Sequence, residues 1–120
     1  MSSEPMISEP AFTHATADLI GVTAKQLRDT QVLSGLLIAA AGAAGFVIVG
    51  SPLVRQLPSD DVTGVLLLDS CHIAIHAFPG RELLLLDVLA PTTRDTHKVI
   101  DVFARRLAPR EVRSETHGRG

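Results

Sequence analysis

The sequence predicts an α/β (α+β) domain, a two-layer sandwich in which a mainly antiparallel sheet carries two helices on one face. Three observations lead there. Four short apolar runs (Phe46–Val49, Val62–Leu68, His72–Phe78 and Glu82–Leu89) have strand length, and each is bounded by Gly, Pro, Ser or Asp. Two longer stretches space their apolar residues at helical intervals. The order strand, helix, strands, helix, strand then packs the helices against one side of a sheet.

Composition narrows the class further. A chain of 120 residues builds one core and is too short for two ordinary ones. Because 46% of the residues are hydrophobic, disorder is disfavoured. With four Phe and no Trp or Tyr, the core must be built from Leu, Val, Ile and Ala. A formal charge of −2 offers no electrostatic basis for binding nucleic acid or an anionic membrane. One cysteine makes no internal disulfide, which fits a reducing, cytoplasmic location. The start of the chain lacks a basic region followed by an apolar segment, so no signal peptide is read there. Val32 to Val54 runs without a charge and has the length of a membrane span. Ser34, Gly35, Gly42, Gly45, Gly50 and Pro52 interrupt it, so a buried helix turning into a buried strand is the better reading.

In chain order, residues 1–10 form a loose polar lead-in, and 11–115 form the single domain. Ala11 to Ile20 reads as a first strand. Thr23-Ala24-Lys25-Gln26 fits a capping box, in which the Thr hydroxyl and the Gln side chain satisfy orphan amides. Leu27, Val32, Leu33, Leu36, Leu37, Ala40 and Ala44 continue it as one helical stripe, stopped by Gly42 or Gly45. After the four apolar runs, with Phe78-Pro79-Gly80-Arg81 as a hairpin connection, Thr93 or Asp95 caps a second helix. Val99, Val102, Phe103 and Leu107 are its apolar face, and Pro109 ends it. Glu111 to Glu115 reads as an edge strand and 116–120 as a flexible tail.

Reactive groups concentrate between Asp69 and Gly80, which holds the only cysteine and two of the five histidines. On a strand His72 and His76 share a face roughly 13 Å apart, with Cys71 on the other face, so these three do not chelate one metal. A lone cysteine near a histidine is either an activated thiolate or a small buried hydrophobe. Asp87 interrupts Leu83–Leu86 and Val88-Leu89 and is expected to be buried with a partner. Residue chemistry alone names no reaction.

The run from Val62 to Pro79 resembles the prokaryotic S-adenosylmethionine decarboxylase proenzymes. Their matching segment reads Ser/Thr-Gly, a short apolar strand, Glu-Ser-His, a second strand, His, then Thr-Trp/Phe-Pro-Glu. His14, Leu83–Leu89 with Asp87, and Lys98–Arg106 followed by Arg110-Glu111-Val112 extend the likeness over most of the chain. In that family the proenzyme cuts itself between the Glu and the Ser, and the new N-terminus becomes a pyruvoyl group. That carbonyl takes the substrate amine and acts as the electron sink for loss of CO2. The resemblance implies that His76 and Thr63 assist processing, that Phe78 stacks on substrate, and that the chain is a homodimer in polyamine (spermidine) biosynthesis.

Four positions depart from the family pattern. Aligned without gaps, the pyruvoyl-forming Ser is Cys71, the preceding Glu is Ser70, the acid after the hairpin proline is Gly80, and a proton-donating Cys is Pro91. A thiol makes the same acyl shift, through a thioester. Ser70 serves instead only if the strand slips by one residue, which reverses every side chain's face, so Cys71 is preferred over Ser70. Two functions follow: a divergent pyruvoyl-dependent decarboxylase acting on a small amine, S-adenosylmethionine being the family's substrate, or a non-catalytic paralogue that binds a ligand or a catalytic sister subunit.

Overall fold

A computed structural model describes residues 9–120. Most of the lead-in read from the sequence, residues 1–8, lies outside the described residues. Six strands form one sheet: β1 (Phe12–Ile20), β2 (Leu53–Gln56), β3 (Val62–Leu67), β4 (His72–Phe78), β5 (Leu83–Pro91) and β6 (Glu111–Arg119). Their spatial order is β2-β3-β4-β5-β1-β6, and every pairing is antiparallel. Among the described residues three α-helices, α1 (Ala24–Arg28), α2 (Thr30–Ala43) and α3 (Thr96–Leu107), and a short 3-10 turn at Pro79–Arg81 accompany the sheet.

Alternation along the strands fixes which face the helices cover. Ala15, Ala17 and Leu19 of β1, Ile73, Ile75 and Ala77 of β4, and Leu84, Leu86, Val88 and Ala90 of β5 are all buried. They meet Leu33, Leu36, Leu37, Ala40 and Ala41 of α2 and Val99, Ile100, Phe103 and Leu107 of α3 in a single core. The intervening residues point to the opposite face, which carries no helix and leaves them partly exposed. One face is therefore a core and the other is an open floor.

The first helical stripe breaks at Asp29, where the sequence alone reads one helix. Asp29 ends α1, and its carboxylate then accepts the amide of Val32 to cap α2. Thr23 caps α1 by accepting the amide of Gln26, which is half of the expected capping box; the Gln26 side-chain oxygen accepts from the Thr23 hydroxyl and not from an orphan amide. Asp95 caps α3 through the amide of His97. Helix α2 has 14 residues, and no helix among the described residues is long and apolar enough to cross a membrane.

Two strand assignments need correction. Phe46–Val49 is not a strand: after Gly45, which takes a positive φ of 76°, the segment makes a single bridge from Ile48 to Leu68. The edge strand is instead β2, where only Val54 is buried, so it carries no alternation to read. At the other edge β6 runs to Arg119, through residues expected to be a flexible tail. It pairs with β1 along its whole length, although all nine residues are exposed. Charged side chains along β6 blunt it as an edge, and Glu111 accepts a bond from Arg113 at 2.7 Å, which holds the Glu111 carboxyl below its ordinary range.

Phe103 is fully buried between α3 and the sheet. Phe103→Ala is expected to lower unfolding free energy by about 3–5 kcal/mol, read as a shift of the urea midpoint at constant m-value.

Candidate functional site

The residues singled out from the sequence lie on the open face and at one end of it. Strands β3 and β4 pair with Thr63 opposite His76 and Leu67 opposite His72, leaving residues 68–71 as the connecting loop. Both histidines point to the open face, while Ile73 and Ile75 between them point into the core. The observed β3–β4 register is thus the one the apolar side chains demand, since a one-residue shift would place both histidines in the core.

Cys71 closes the loop with a positive φ of 76°. A residue with a Cβ is strained in that region, at a cost of about 1–3 kcal/mol. The loop is held from both sides: the Leu68 amide donates to the Cys71 carbonyl at 3.1 Å, and the Asp69 amide donates to the Val47 carbonyl at 2.8 Å. The Val49 amide adds a bond to the Leu67 carbonyl. The segment expected to be a strand therefore props the loop. Cys71 is partly exposed, with its sulfur 3.7 Å from the Ser70 hydroxyl. It opens on a pocket of about 300 Å³ lined by Phe12, Leu89, Arg119 and Gly120.

Beside the loop stands a histidine–carboxylate group. His14 Nε2 is 2.7 Å from Asp87 Oδ1, and His72 Nε2 is 4.0 Å from the same oxygen. Adjacent strands bring this about: His14 and His72 both pair with Leu89, one from each side, with Asp87 one step further along the face. Asp87 does have a partner, as expected, but its side chain is 41% exposed and not buried. His14 carries no role that the sequence alone reveals. Its only signal there was its match to an early strand histidine.

Thr63 and His76 form a second group. Thr63 Oγ1 is 3.0 Å from His76 Nδ1 across the β3–β4 ladder. His76 lies five positions beyond Cys71, roughly 16 Å along an extended strand. Phe78 is further still, in a separate pocket with Arg81, Leu83 and Leu85. Within one chain the fold unites Thr63 with His76 and His14 with Asp87, with His72 beside that carboxylate and Ser70 and Cys71 in the loop that leads into His72. It keeps Phe78 and the Thr63–His76 pair away from Cys71.

The chain matches a known family. Its profile, described as S-adenosylmethionine decarboxylase, aligns with residues 13–120. The chain belongs to the S-adenosylmethionine decarboxylase family. Among curated relatives, the S-adenosylmethionine decarboxylase proenzyme of Aquifex aeolicus is 30% identical over 108 residues, covering 89% of this chain and 79% of that protein. The proenzyme of Archaeoglobus fulgidus is 29% identical over 110 residues, 89% and 96% of the two chains. The match to the Symbiobacterium thermophilum proenzyme, 35% identical over 74 residues, takes in 62% of this chain and 55% of that protein. The crystal structure of the Aquifex aeolicus adenosylmethionine decarboxylase superposes with a TM-score of 0.84 at 29% identity, over 94% of this chain and 93% of the other. The fold expected from the sequence is thus that of a solved S-adenosylmethionine decarboxylase.

The Thr63–His76 bond lies on an exposed face, where such a bond adds little to stability. Thr63→Val is expected to change unfolding free energy by less than about 1 kcal/mol while shifting the His76 Nδ1 resonance in a 15N spectrum. A large loss of stability would mean that Thr63 is a packing residue.

Proposed function

We propose that this chain is a self-cleaving, pyruvoyl-dependent decarboxylase of S-adenosylmethionine in polyamine (spermidine) biosynthesis, working as a cytoplasmic homodimer. The observation that carries the reading is Cys71, held in a strained turn at the register position where the family places its cleavage residue. The same register sets Thr63 against His76. Strain of about 1–3 kcal/mol at the scissile position is relieved once the chain is cut, which favours cleavage there.

The self-processing chemistry balances with the residues present. Cys71 Sγ attacks the Ser70 carbonyl carbon, the 70–71 peptide C–N bond breaks, and a thioester forms as the amine is freed. Removal of the Cα proton of residue 71 breaks its Cβ–S bond and leaves Ser70 as a thiocarboxylate. Water then replaces the nitrogen of residue 71, which leaves as ammonia. Ser70 in the same role would end the preceding fragment at Asp69 with an ordinary carboxylate.

The surroundings of residue 71 suit the pyruvoyl group. Its side chain is partly exposed, so a small amine reaches it, and Phe12 and Leu89 give the pocket apolar walls. In place, the group supplies the electron sink for loss of CO2. The protein's own part is to bind the amine, keep water from the apolar side and place protons.

A homodimer accounts for the separation of the two groups on the open face. Val65, Ala74, Leu83, Leu85 and Leu89 lie there half-buried, and Leu53 and Leu67 lie there about half-exposed, with no helix covering them. A second copy laid face to face about a two-fold axis buries this surface. It also brings the Thr63–His76 pair and Phe78 of one chain towards Cys71 of the other. His76 then assists processing across the interface and Phe78 stacks on a substrate held by the partner.

A non-catalytic paralogue remains the second reading. It is favoured by Ser70, Cys71, Gly80 and Pro91, all of which differ from the family pattern.

Intact mass under denaturing conditions separates the two. The expected result is two fragments split at Ser70–Cys71, the later one blocked at its N-terminus, with Cys71→Ala remaining whole. A single uncut wild-type chain would establish the paralogue. Sedimentation is expected to give a dimer. Co-expression is expected to restore cleavage in trans: His76→Ala alone stays whole, but is cut when paired with Cys71→Ala. If His76→Ala cleaves unaided at the wild-type rate, the shared site is refuted.

A further inference from the structure

We propose that His14, positioned by Asp87, is the group that delivers the proton to the product carbon during turnover. The inference rests on the decarboxylase reading above and adds a donor to it. Loss of CO2 breaks the bond between the substrate's Cα and its carboxyl carbon and leaves the electron pair on the Cα side. An acid must then give a proton to Cα, forming a C–H bond, and must itself be reprotonated by water. Pro91, which ends β5 opposite Phe12, has no proton to give.

His14 stands next to residues that line the pocket at Cys71. It lies two residues from Phe12 on β1, and it flanks Leu89, while Phe12 and Leu89 both line the pocket at Cys71. Asp87 Oδ1 accepts from His14 Nε2 at 2.7 Å, and an ionised carboxylate is acceptor only, so the Nε2 nitrogen carries a hydrogen. The nitrogen left free of Asp87 to hand over a proton is therefore Nδ1. His72 stands 4.0 Å from the same carboxylate oxygen, beyond hydrogen-bond range, so the carboxylate fixes His14 and not His72. The charged and titratable groups around His14 are Asp87 on β5, His72 on β4, and His117 with neighbouring Glu115 and Arg119 on β6. In the single chain the His14 side chain is 26% exposed.

The test uses the cleaved full-length chain with S-adenosylmethionine as the probe, run in deuterium oxide. The wild type is expected to place one deuterium at Cα in a single configuration. His14→Ala is expected to cleave normally and hold KM within about twofold, to lose about 100-fold or more in kcat, and to spread deuterium over both configurations. Should His14→Ala not fold, His14→Gln carries the same expectation, because an amide is no acid at neutral pH. For the positioning role, 15N spectra of the uncleaved Ser70→Ala/Cys71→Ala chain are expected to show the neutral His14 proton on Nε2. Adding Asp87→Ala is expected to divide that proton between both nitrogens. Wild-type turnover with a single deuterium configuration in His14→Ala, or an Asp87→Ala spectrum with the proton unmoved, overturns the proposal and leaves the decarboxylase reading standing. A wild-type chain that stays whole, or releases no CO2 from S-adenosylmethionine, overturns that reading and the donor with it.

Discussion

The register between β3 and β4 is the constraint on which the rest of the structure depends. Side chains alternate with a period of two, so Ile73 and Ile75 enter the core only if His72 and His76 leave it. That single choice sets Thr63 opposite His76, confines the connecting loop to residues 68–71, and leaves Cys71 at its end with a left-handed backbone. Burial of the aliphatic residues holds the register, at about 25 cal/mol per Å² of apolar surface removed from water. The polar groups of the site ride on it without having to stabilise it.

One-sided coverage of the sheet is the second feature that shapes function. All three helices gather on the face carrying Ala15, Leu86 and Ile75, and the other face keeps the histidines, Asp87 and a scatter of aliphatic residues. The open floor provides room for reactive groups that a two-sided sandwich would bury. It also separates them: one group lies at the Cys71 end and the other around Thr63 and His76. A chemistry needing both groups needs a second molecule, which ties maturation to assembly in the function proposed here.

Much of this was legible in the sequence, for reasons that differ by element. Strands β3, β4 and β5 were readable because each is apolar, short and punctuated. Helix α3 was readable because its four apolar positions recur at helical spacing and Asp95 can cap it. The break at Asp29 was not, because an aspartate that ends one helix and caps the next looks like a polar position within one. Strand β2 escaped because only Val54 is buried. The end of β6 was read as a tail because an edge strand with nine exposed residues has no core pattern, and only its ladder to β1 orders it. In the site, processing roles for Thr63 and His76 were expected from family resemblance alone, and only the register showed that the two residues face each other. The bond from His14 to Asp87 was invisible, since the two are 73 residues apart.

By itself the sequence determined the fold class, most of the elements and the family, because hydrophobic period, caps and a long local motif are all properties of neighbouring residues. The resemblance of that motif to the family's implies Cys71 as the cleavage residue. Only the tertiary structure decided which groups meet. It joined His14 to Asp87 across β1 and β5, gave Cys71 its strained turn, and kept His76 and Phe78 from reaching it in the same chain. Such distances depend on strand order and register, which arise when the whole apolar face is buried at once, and no local stretch of sequence contains them.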